Sequence, residues 1–284
     1  MVSRAPTRLD ELRRLAEEFL GGLPFSSDLG RLERALRYSL LGGGKRIRPV
    51  LCLAAGEALG RNPRELLPAA CALELVHTFS LVHDDLPALD DDDLRRGQPS
   101  AHVQFGEAVA ILAGDALLTE AFRQVLTYPT PEPAMVLADA TAGMIGGQYV
   151  DITTNDGLDH EGLVALHRLK TGKLLSACVE CATAVAGLPE AERARWRTFG
   201  QDLGLLFQIV DDILDATGTA EELGKTPGKD EAEGKVTYVT LHGLDRAREL
   251  ADETRARVNE KLAGLSGNTS VLAELVATIR DRRT

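Results

Sequence analysis

The feature that most constrains this chain is an apolar periodicity of three to four residues that continues along almost its whole length. In the first segment Leu9, Leu12, Ala16 and Phe19 follow this spacing, and a glycine pair ends it. The spacing aligns apolar side chains on one face of an α-helix. The alternation typical of a half-buried strand nowhere continues beyond four residues. The sequence therefore predicts an all-α fold.

Glycine and proline residues divide this pattern into about ten helices. A helix is predicted from about Leu29 to Leu41, and another after Pro49, because proline suits the first turn of a helix. Pro63 is expected to open a further turn, and Pro68 to begin a long helix. Further helices are predicted over residues 102–127, 132–151, 159–187, 190–217, 236–264 and 267–282. No internal repeat or linker divides the chain, so residues 1–284 are predicted to form one domain, with a loop over 218–234.

Composition and charge exclude some classes of function. Apolar residues make up 44% of the chain, enough to bury a substantial core, and the aromatic share of 4% favours helices over sheet. The formal net charge of −11 argues against a nucleic-acid partner, because such proteins usually carry a basic face. An acidic chain can still bind anions when divalent cations lie between them.

Cys52, Cys71, Cys178 and Cys181 lie in apolar, helix-like stretches. The last two have the spacing of a redox pair or half a zinc site. No second pair completes such a site, so structural thiols in a reducing compartment are predicted.

The polar start of the sequence does not resemble a signal peptide. No stretch approaches the roughly 20 apolar residues of a membrane span. We therefore expect a cytoplasmic protein with no stable membrane anchor.

The chemistry is indicated first by a cluster of aspartates at the end of an apolar helix. Asp84 and Asp85 lie at the negative end of the helix dipole, where carboxylates are unfavourable without a cation. Pro87 is predicted to break the helix and to return Asp90 towards Asp84. Carboxylate oxygens are preferred ligands of Mg²⁺, which commonly bridges to substrate phosphates. The alternative is a solvated acidic loop, which suffices for Asp91–Asp93.

A second cluster lies far along the sequence on another apolar helix. Asp211 and Asp215 are four residues apart and share one helix face, with Gln208 on the same side. Like charges at this spacing destabilise an isolated helix. Because these carboxylates are surrounded by Leu, Ile, Val and Phe, they do not form a simple solvated surface. Two such clusters indicate a shared metal site.

The two clusters resemble the D-D-x4-D and D-D-x-x-D motifs of the trans-prenyltransferase family, and of its bacterial farnesyl diphosphate synthase branch in particular. The first motif here contains two additional residues, Pro87 and Ala88. The resemblance extends from about Gly42 to the C-terminus and includes three shorter motifs, Gly43–Pro49, Phe105–Glu107 and Ile111–Asp115.

The resemblance implies a helical bundle of the isoprenoid synthase type around a central substrate cavity, and a homodimer. It also implies Mg²⁺, three ions per site when substrate is bound. By the same resemblance, Asp84, Asp90, Asp211 and Asp215 are the metal ligands, and Asp85 belongs to the catalytic motif.

Basic residues are needed where the metal ions do not cover the diphosphates. Lys45 and Arg48 follow a triple-glycine turn, where the backbone can approach an anion closely. Ordinary surface bases are the alternative. His77 lies about two turns before Asp84, and a lone histidine in an apolar helix is more often structural. The resemblance instead assigns Lys45, Arg48, His77 and Arg96 to isopentenyl diphosphate.

The remaining polar residues surround the allylic substrate by resemblance. Arg95, Lys225 and Lys235 are implied contacts of the allylic diphosphate, and Lys170, Thr171 and Gln208 lie near it and the developing cation. The implied reaction is ionisation of the allylic diphosphate, condensation, and loss of a proton. The carbonyl oxygen of Lys170, the Thr171 hydroxyl and the Gln208 side-chain oxygen would present dipoles to the carbocation. The departing diphosphate would take the proton.

Product length should depend on what blocks the pocket beneath the first aspartate motif. Phe79 lies five residues before Asp84, about 7.5 Å along the helix, and an aromatic there resembles the floor of a farnesyl-sized pocket. Helical geometry places Ser80 more directly beneath Asp84 and aligns Phe79 with His83. We expect a farnesyl product from dimethylallyl or geranyl diphosphate, with geranylgeranyl diphosphate as the alternative.

Two other functions are open. A terpene cyclase uses the same chemistry on an all-α fold, but it needs a second motif of Asn, Ser or Thr, and Glu, and does not need Lys45, Arg48 and His77. A non-catalytic partner subunit or a simple metal-binding helical protein usually loses part of one aspartate motif. Both motifs are complete in this chain.

Overall fold

The helices follow the apolar periodicity closely in residues 6–154, 157–218 and 235–280, the parts of the chain that the computed structural model describes. In order they are α1 Arg8–Gly21, α2 Glu33–Leu41, α3 Ile47–Ala58, α4 Pro63–Asp84, α5 Ala101–Phe105, α6 Glu107–Val125, α7 Glu132–Thr153, α8 His160–His167, α9 Lys173–Ala186, α10 Glu190–Thr217, α11 Tyr238–His242, α12 Leu244–Ala263 and α13 Ser270–Arg280. Short elements between them are a 3₁₀ turn, Ser27–Leu32, a π-helical turn, Arg168–Gly172, and an antiparallel pair of two-residue strands, Leu94–Arg95 and Gln98–Pro99. The predicted all-α fold is confirmed.

The long helix α4 begins earlier than predicted. Asn62 caps it by accepting a hydrogen bond from the Arg64 amide at 3.0 Å, and Pro63 occupies the first turn. The helix then continues through Pro68, so the prediction that Pro68 begins it is wrong. The missing amide of Pro68 would have bonded the carbonyl of Arg64. Since Arg64 lies on the exposed first turn, water can satisfy that carbonyl.

Three segments predicted as continuous helices are interrupted. Gly106 separates α5 from α6 with a φ of 89°, and Gly243 separates α11 from α12 with a φ of 80°. Both values lie in the left-handed region that glycine adopts without a steric penalty. The third segment contains the π-helical turn between α8 and α9. Apolar periodicity does not reveal these interruptions, because the apolar spacing resumes on the other side of each one.

The core is built around α4 and α9. Helix α4 packs between α3 and α6, while α9 contacts α3, α7 and α10. Helix α4 is long and apolar enough to cross a membrane, which the sequence-based expectation missed, but 72% of its apolar window is buried inside the protein. The four cysteines are buried and free, so they are structural thiols, as predicted. Helix α9 also contacts α4, so it packs against both helices that carry the aspartate clusters.

Candidate active site

The chain turns back on itself where α4 ends, and this turn defines the first aspartate motif. The Asp90 amide donates a hydrogen bond to the Asp84 carbonyl at 2.8 Å, and the Asp92 amide donates to the Asp85 carbonyl at 3.1 Å. Asp91 completes the turn with a φ of 48°. The structure therefore places Asp90 beside Asp84, as the sequence predicts.

The carboxylate of Asp84 is in an unfavourable place for a negative charge. Burial raises its pKa to about 6, the Lys170 ammonium opposes this shift, and the nearby Asp90 carboxylate adds to it. A divalent cation would offset both burial and repulsion, so the donor set fits Mg²⁺. No three His, Cys, Asp or Glu side chains in the described ranges already form a closed metal cage. Mg²⁺ commonly binds through one or two carboxylates together with water and substrate phosphates.

Asp85 is engaged differently from Asp84. It is 2% exposed and accepts a hydrogen bond from Arg95 Nε at 2.9 Å, and the Arg95 Nη2 atom also contacts it. Arg95 Nη2 lies 3.2 Å from Asp92 Oδ2 as well. Burial raises the pKa of Asp85, and the bond from Arg95 lowers it. Asp85 thus positions Arg95, a relation that the sequence did not predict.

The triple-glycine turn contacts Arg96, the residue that follows Arg95. Arg96 donates from Nη1 to the Gly43 carbonyl, and a Cβ on Gly44 would lie 2.8 Å from Arg96 Cζ. Gly44 also has a φ of 121°, so only glycine suits this position. The turn therefore brings Arg96 against the segment that carries Lys45 and Arg48.

Arg46 fixes the triple-glycine turn to the protein core through buried hydrogen bonds. Its guanidinium is buried and donates to Glu74 Oε1 at 2.7 Å and to the Leu40 carbonyl at 2.7 Å. Both charged side chains of the Arg46–Glu74 pair are at most 3% exposed. Removing either partner of such a pair leaves a buried, uncompensated charge. Arg46 thus acts as a structural anchor, whereas Lys45 and Arg48 on either side are half-buried.

His77 lies within the positive field of these arginines. Burial lowers its pKa well below the usual value, and Arg48, Arg96, Arg95 and Arg46 lower it further. The imidazole is therefore neutral at neutral pH and can donate or accept a hydrogen bond. The structure brings together His77, Arg48 and Arg96, three of the residues assigned by resemblance to isopentenyl diphosphate.

A chain of hydrogen bonds connects the π-helical turn to α10. The Thr171 hydroxyl donates to Gln208 Oε1 at 2.9 Å, and Gln208 Nε2 donates to Asp212 Oδ1 at 2.8 Å. The Tyr238 amide donates to Asp212 Oδ2 at 2.8 Å. The Gln208 oxygen, predicted to face a carbocation, accepts the Thr171 bond with one of its two lone pairs, and its role towards a cation stays a prediction. Asp212 and Tyr238 are functional neighbours that sequence reasoning missed.

Lys170 is held on the opposite side by α7. Its Nζ atom lies 2.6 Å from Asp151 Oδ2. A Cβ on Gly147 would lie 2.6 Å from Lys170 Cα, so this glycine is required for α7 to approach the π-helical turn. Gly143 likewise abuts the Lys173 side chain, whereas Gly146 has no such neighbour within 4 Å. The sequence analysis also missed Asp151, which lies near the end of α7.

The second aspartate motif lies on α10, the helix that also carries Gln208. Asp211 is half-buried and Asp215 is 8% exposed, both on α10. Lys235 reaches the first motif, with Nζ 3.3 Å from Asp90 Oδ1. Lys225, the other predicted cation of this segment, lies outside the described residues.

The two candidate chain-length residues point in different directions. The Phe79 ring is 8% exposed and packs edge-to-face on His83, with ring centroids 4.9 Å apart. His83 in turn lies 3.0 Å from the Ile111 carbonyl of α6. Ser80 is half-buried and donates to the His77 carbonyl at 2.9 Å. Phe79 therefore lines up with His83, as helical geometry predicts, and the small Ser80 aligns with Asp84.

Comparison with known proteins agrees with this geometry. Residues 30–279 match the family model described as polyprenyl synthetase. Geranylgeranyl pyrophosphate synthase 7, a chloroplastic protein of Arabidopsis thaliana, is 45% identical over 84% of this chain and 72% of its own length. Geranylgeranyl pyrophosphate synthase 4 of the same plant is 41% identical over 94% of this chain and 73% of its own length.

Solved structures share the fold over almost the entire chain. A Caulobacter crescentus polyprenyl synthase, complexed with calcium and isoprenyl diphosphate, has a TM-score of 0.86 at 28% identity, covering 99% of this chain and 100% of its own. A Helicobacter pylori geranyltransferase, complexed with magnesium and isoprenyl diphosphate, has a TM-score of 0.82 at 32% identity, covering 97% of each chain.

The expectation of a cytoplasmic protein is wrong on this comparison. Relatives from Arabidopsis thaliana, Catharanthus roseus and Capsicum annuum are chloroplastic by name. The expectation depended on the polar start of the sequence. The residues that build the helices and the site carry no information about a compartment.

The similarity of those residues to known proteins indicates common ancestry. By the family match and these identities, the chain belongs to the polyprenyl synthetase family of trans-prenyltransferases.

Proposed function

We propose that the chain condenses isopentenyl diphosphate head-to-tail with an allylic diphosphate, and that its main product is geranylgeranyl diphosphate. The observation that carries the reaction is the pairing of two aspartate motifs with a separate group of cations. Asp84 and Asp90 lie together at the end of α4, while His77, Arg48 and Arg96 form a second, positively charged position. Two anion positions of different chemistry are what two diphosphate substrates require.

Asp84, Asp90, Asp211 and Asp215 are the proposed ligands of Mg²⁺. When bound, the divalent ions act as Lewis acids that neutralise the leaving diphosphate. Lys235 and Arg95 add positive charge on the same side, and the resemblance assigns Lys225 there too. The number of ions, three with substrate bound, is part of this proposal.

The π-helical turn is proposed to stabilise the developing cation. The Thr171 hydroxyl donates a hydrogen bond to Gln208, so the lone pairs of the hydroxyl oxygen are available to positive charge. The Lys170 carbonyl would add a second dipole, held in place by Gly147 and by the Asp151 contact of the side chain. Gln208 positions Thr171 by accepting its hydrogen bond, and the second lone pair of the Gln208 oxygen remains for the cation.

Two observations support the longer product. The relatives at 41–45% identity are geranylgeranyl pyrophosphate synthases by name. Phe79 packs against His83, and the residue that aligns with Asp84 is the small Ser80. Farnesyl diphosphate is the second candidate, because Phe79 is still a buried aromatic one turn below the aspartates, and a geranyltransferase is among the similar structures.

A homodimer is also proposed. Helices α6 and α7 expose several large apolar side chains to solvent, among them Ile111, Leu112, Met135, Ile145 and Tyr149. If these side chains form one contiguous patch, such a surface is typical of an interface. Sedimentation of the purified chain would measure its mass, and a monomer at micromolar concentration would contradict this part of the proposal.

The reaction is tested by incubation with Mg²⁺, isopentenyl diphosphate and each of dimethylallyl, geranyl and farnesyl diphosphate, followed by sizing of the dephosphorylated products. A main product of four isoprene units supports the proposal, and one of three units supports the farnesyl candidate. Cyclic hydrocarbon products would favour a terpene cyclase. No turnover of any pair would favour a non-catalytic subunit, provided that Mg²⁺ still raises the melting temperature.

A further inference from the structure

Two histidines that play no part in the proposed reaction meet on the surface of the protein. His160 begins α8 and His242 ends α11, 82 positions apart in the sequence. His160 Nδ1 lies 2.9 Å from His242 Nε2, and the ring centroids are 5.0 Å apart. His160 is exposed and His242 is half-buried. The two nitrogens are therefore close to each other and open to solvent.

We propose that His160 and His242 form a surface site for a tetragonal transition-metal ion, Cu²⁺ or Ni²⁺, with water completing its coordination. Imidazole nitrogens are common ligands of these ions. At a metal–nitrogen distance of about 2.0 Å, two adjacent nitrogens of a tetragonal site lie about 2.8 Å apart, and those of a tetrahedral site about 3.3 Å apart. The observed separation is that of a hydrogen bond between the two rings, and it is also close to the spacing of adjacent nitrogens in the tetragonal sites that Cu²⁺ and Ni²⁺ prefer.

The surroundings keep both rings available as ligands. Metal binding requires the neutral imidazole. Burial lowers the pKa of His242, and the neighbouring His160 and Arg246 lower it further, so this ring is neutral at neutral pH. No third His, Cys, Asp or Glu joins the pair within the described ranges. The site is thus a two-histidine site, distinct from the aspartate motifs in both position and ligand chemistry.

The bound ion would connect two elements that otherwise meet through one hydrogen bond and aromatic contacts. Tyr238 lies beside the two histidines, with its ring 6.3 Å from each. The Tyr238 amide also donates a hydrogen bond to Asp212. An ion across His160 and His242 therefore joins α8 to α11 and stabilises the folded state, because it binds only where the two helices are correctly placed.

Paramagnetic resonance of Cu²⁺ provides the test. The untagged protein, with excess Mg²⁺ to occupy the aspartates, receives one equivalent of Cu²⁺. We expect one ion per chain with coupling to two imidazole nitrogens, and a higher melting temperature with Ni²⁺. His160→Gln and His242→Gln should each abolish the two-nitrogen signal. Since loss of an outer-shell partner alone weakens metal affinity about 10–100-fold, loss of a ligand should weaken it at least as much.

His102→Gln is the matched control, because His102 contacts Ser100 on α5 and has no histidine partner in the described parts of the chain. It should keep the wild-type signal. A two-nitrogen signal that persists in either His160→Gln or His242→Gln would overturn the proposal, as would oxygen-only coordination or no binding in the wild type. The two variants alter different helices, so a folding defect in one, detected by its metal-free melting temperature, leaves the other decisive.

Discussion

The ammonium group of Lys235 lies 3.3 Å from the carboxylate of Asp90, although the two residues are 145 positions apart. This contact joins the segment after the second aspartate motif to the first motif. The side chains are 30% and 21% exposed, so the pair contributes little to folding stability in itself. Because Asp90 is a proposed metal ligand, we expect Lys235 to matter more for the proposed reaction than for the fold.

Replacement of Lys235 should therefore separate activity from stability. Lys235→Met removes a cation beside the allylic diphosphate position, and we expect kcat/KM for the allylic substrate to fall by about tenfold to a hundredfold. The melting temperature should change little. Lys261→Met is the control, because Lys261 pairs with Asp202 at 2.8 Å and has a similar exposure, 37%. Equal losses in both variants would contradict a specific role for Lys235.

Product length should respond to Phe79 and Ser80, the two residues one turn before the first aspartate motif. Phe79→Ala removes the ring that packs on His83, and we expect products longer than those of the wild type. Ser80→Phe places a ring in line with Asp84, and we expect shorter products. Chromatography of the dephosphorylated products measures both. An unchanged product profile in Phe79→Ala would remove Phe79 from the set of length-determining residues.

The close approach of α7 to the π-helical turn should be intolerant of a methyl group. In Gly147→Ala the new Cβ would lie 2.6 Å from Lys170 Cα, so the turn must shift. We expect a loss of about 1–3 kcal/mol in the free energy of unfolding, from overpacking. Because misplaced catalytic groups lose rate steeply, kcat should fall by about tenfold or more.

Gly146→Ala provides the comparison on the same helix. Nothing lies within 4 Å of its added Cβ, so alanine should raise the free energy of unfolding by about 0.5–1 kcal/mol through its better helix propensity. Activity should remain at the wild-type level. Similar destabilisation of both variants in urea unfolding would show that the Gly147 contact is not special.

Acid should destabilise the protein partly through His167. Burial lowers the pKa of His167 to about 4, with Asp151 opposing the shift and Lys170 adding to it. Between about pH 6.5 and pH 4 the unfolded chain binds this proton and the folded chain does not, so the free energy of unfolding falls as the pH falls. The full contribution is roughly 3 kcal/mol. His167→Gln should lose less stability than the wild type over this window in urea unfolding, and parallel pH profiles would contradict the assignment.

Most of the helices and both aspartate motifs were predictable because they are local patterns. Helix α10 was predicted over 190–217, and the structure has Glu190–Thr217. The return of Asp90 to Asp84 was also predictable, because six residues with a proline permit few turns. The continuation of α4 through Pro68 was not, because packing of the helix against α3 and α6 outweighs one lost hydrogen bond.

The sequence by itself determined the helical class, the two carboxylate clusters and the chemistry that they imply, because spacing along a helix decides which side chains share a face. Only the tertiary structure decided that Asp85 holds Arg95, that Gln208 bonds Thr171, and that His160 meets His242. Each of the last two pairs joins different helices. Such contacts depend on how helices cross and rotate against one another, and apolar periodicity leaves that rotation undetermined.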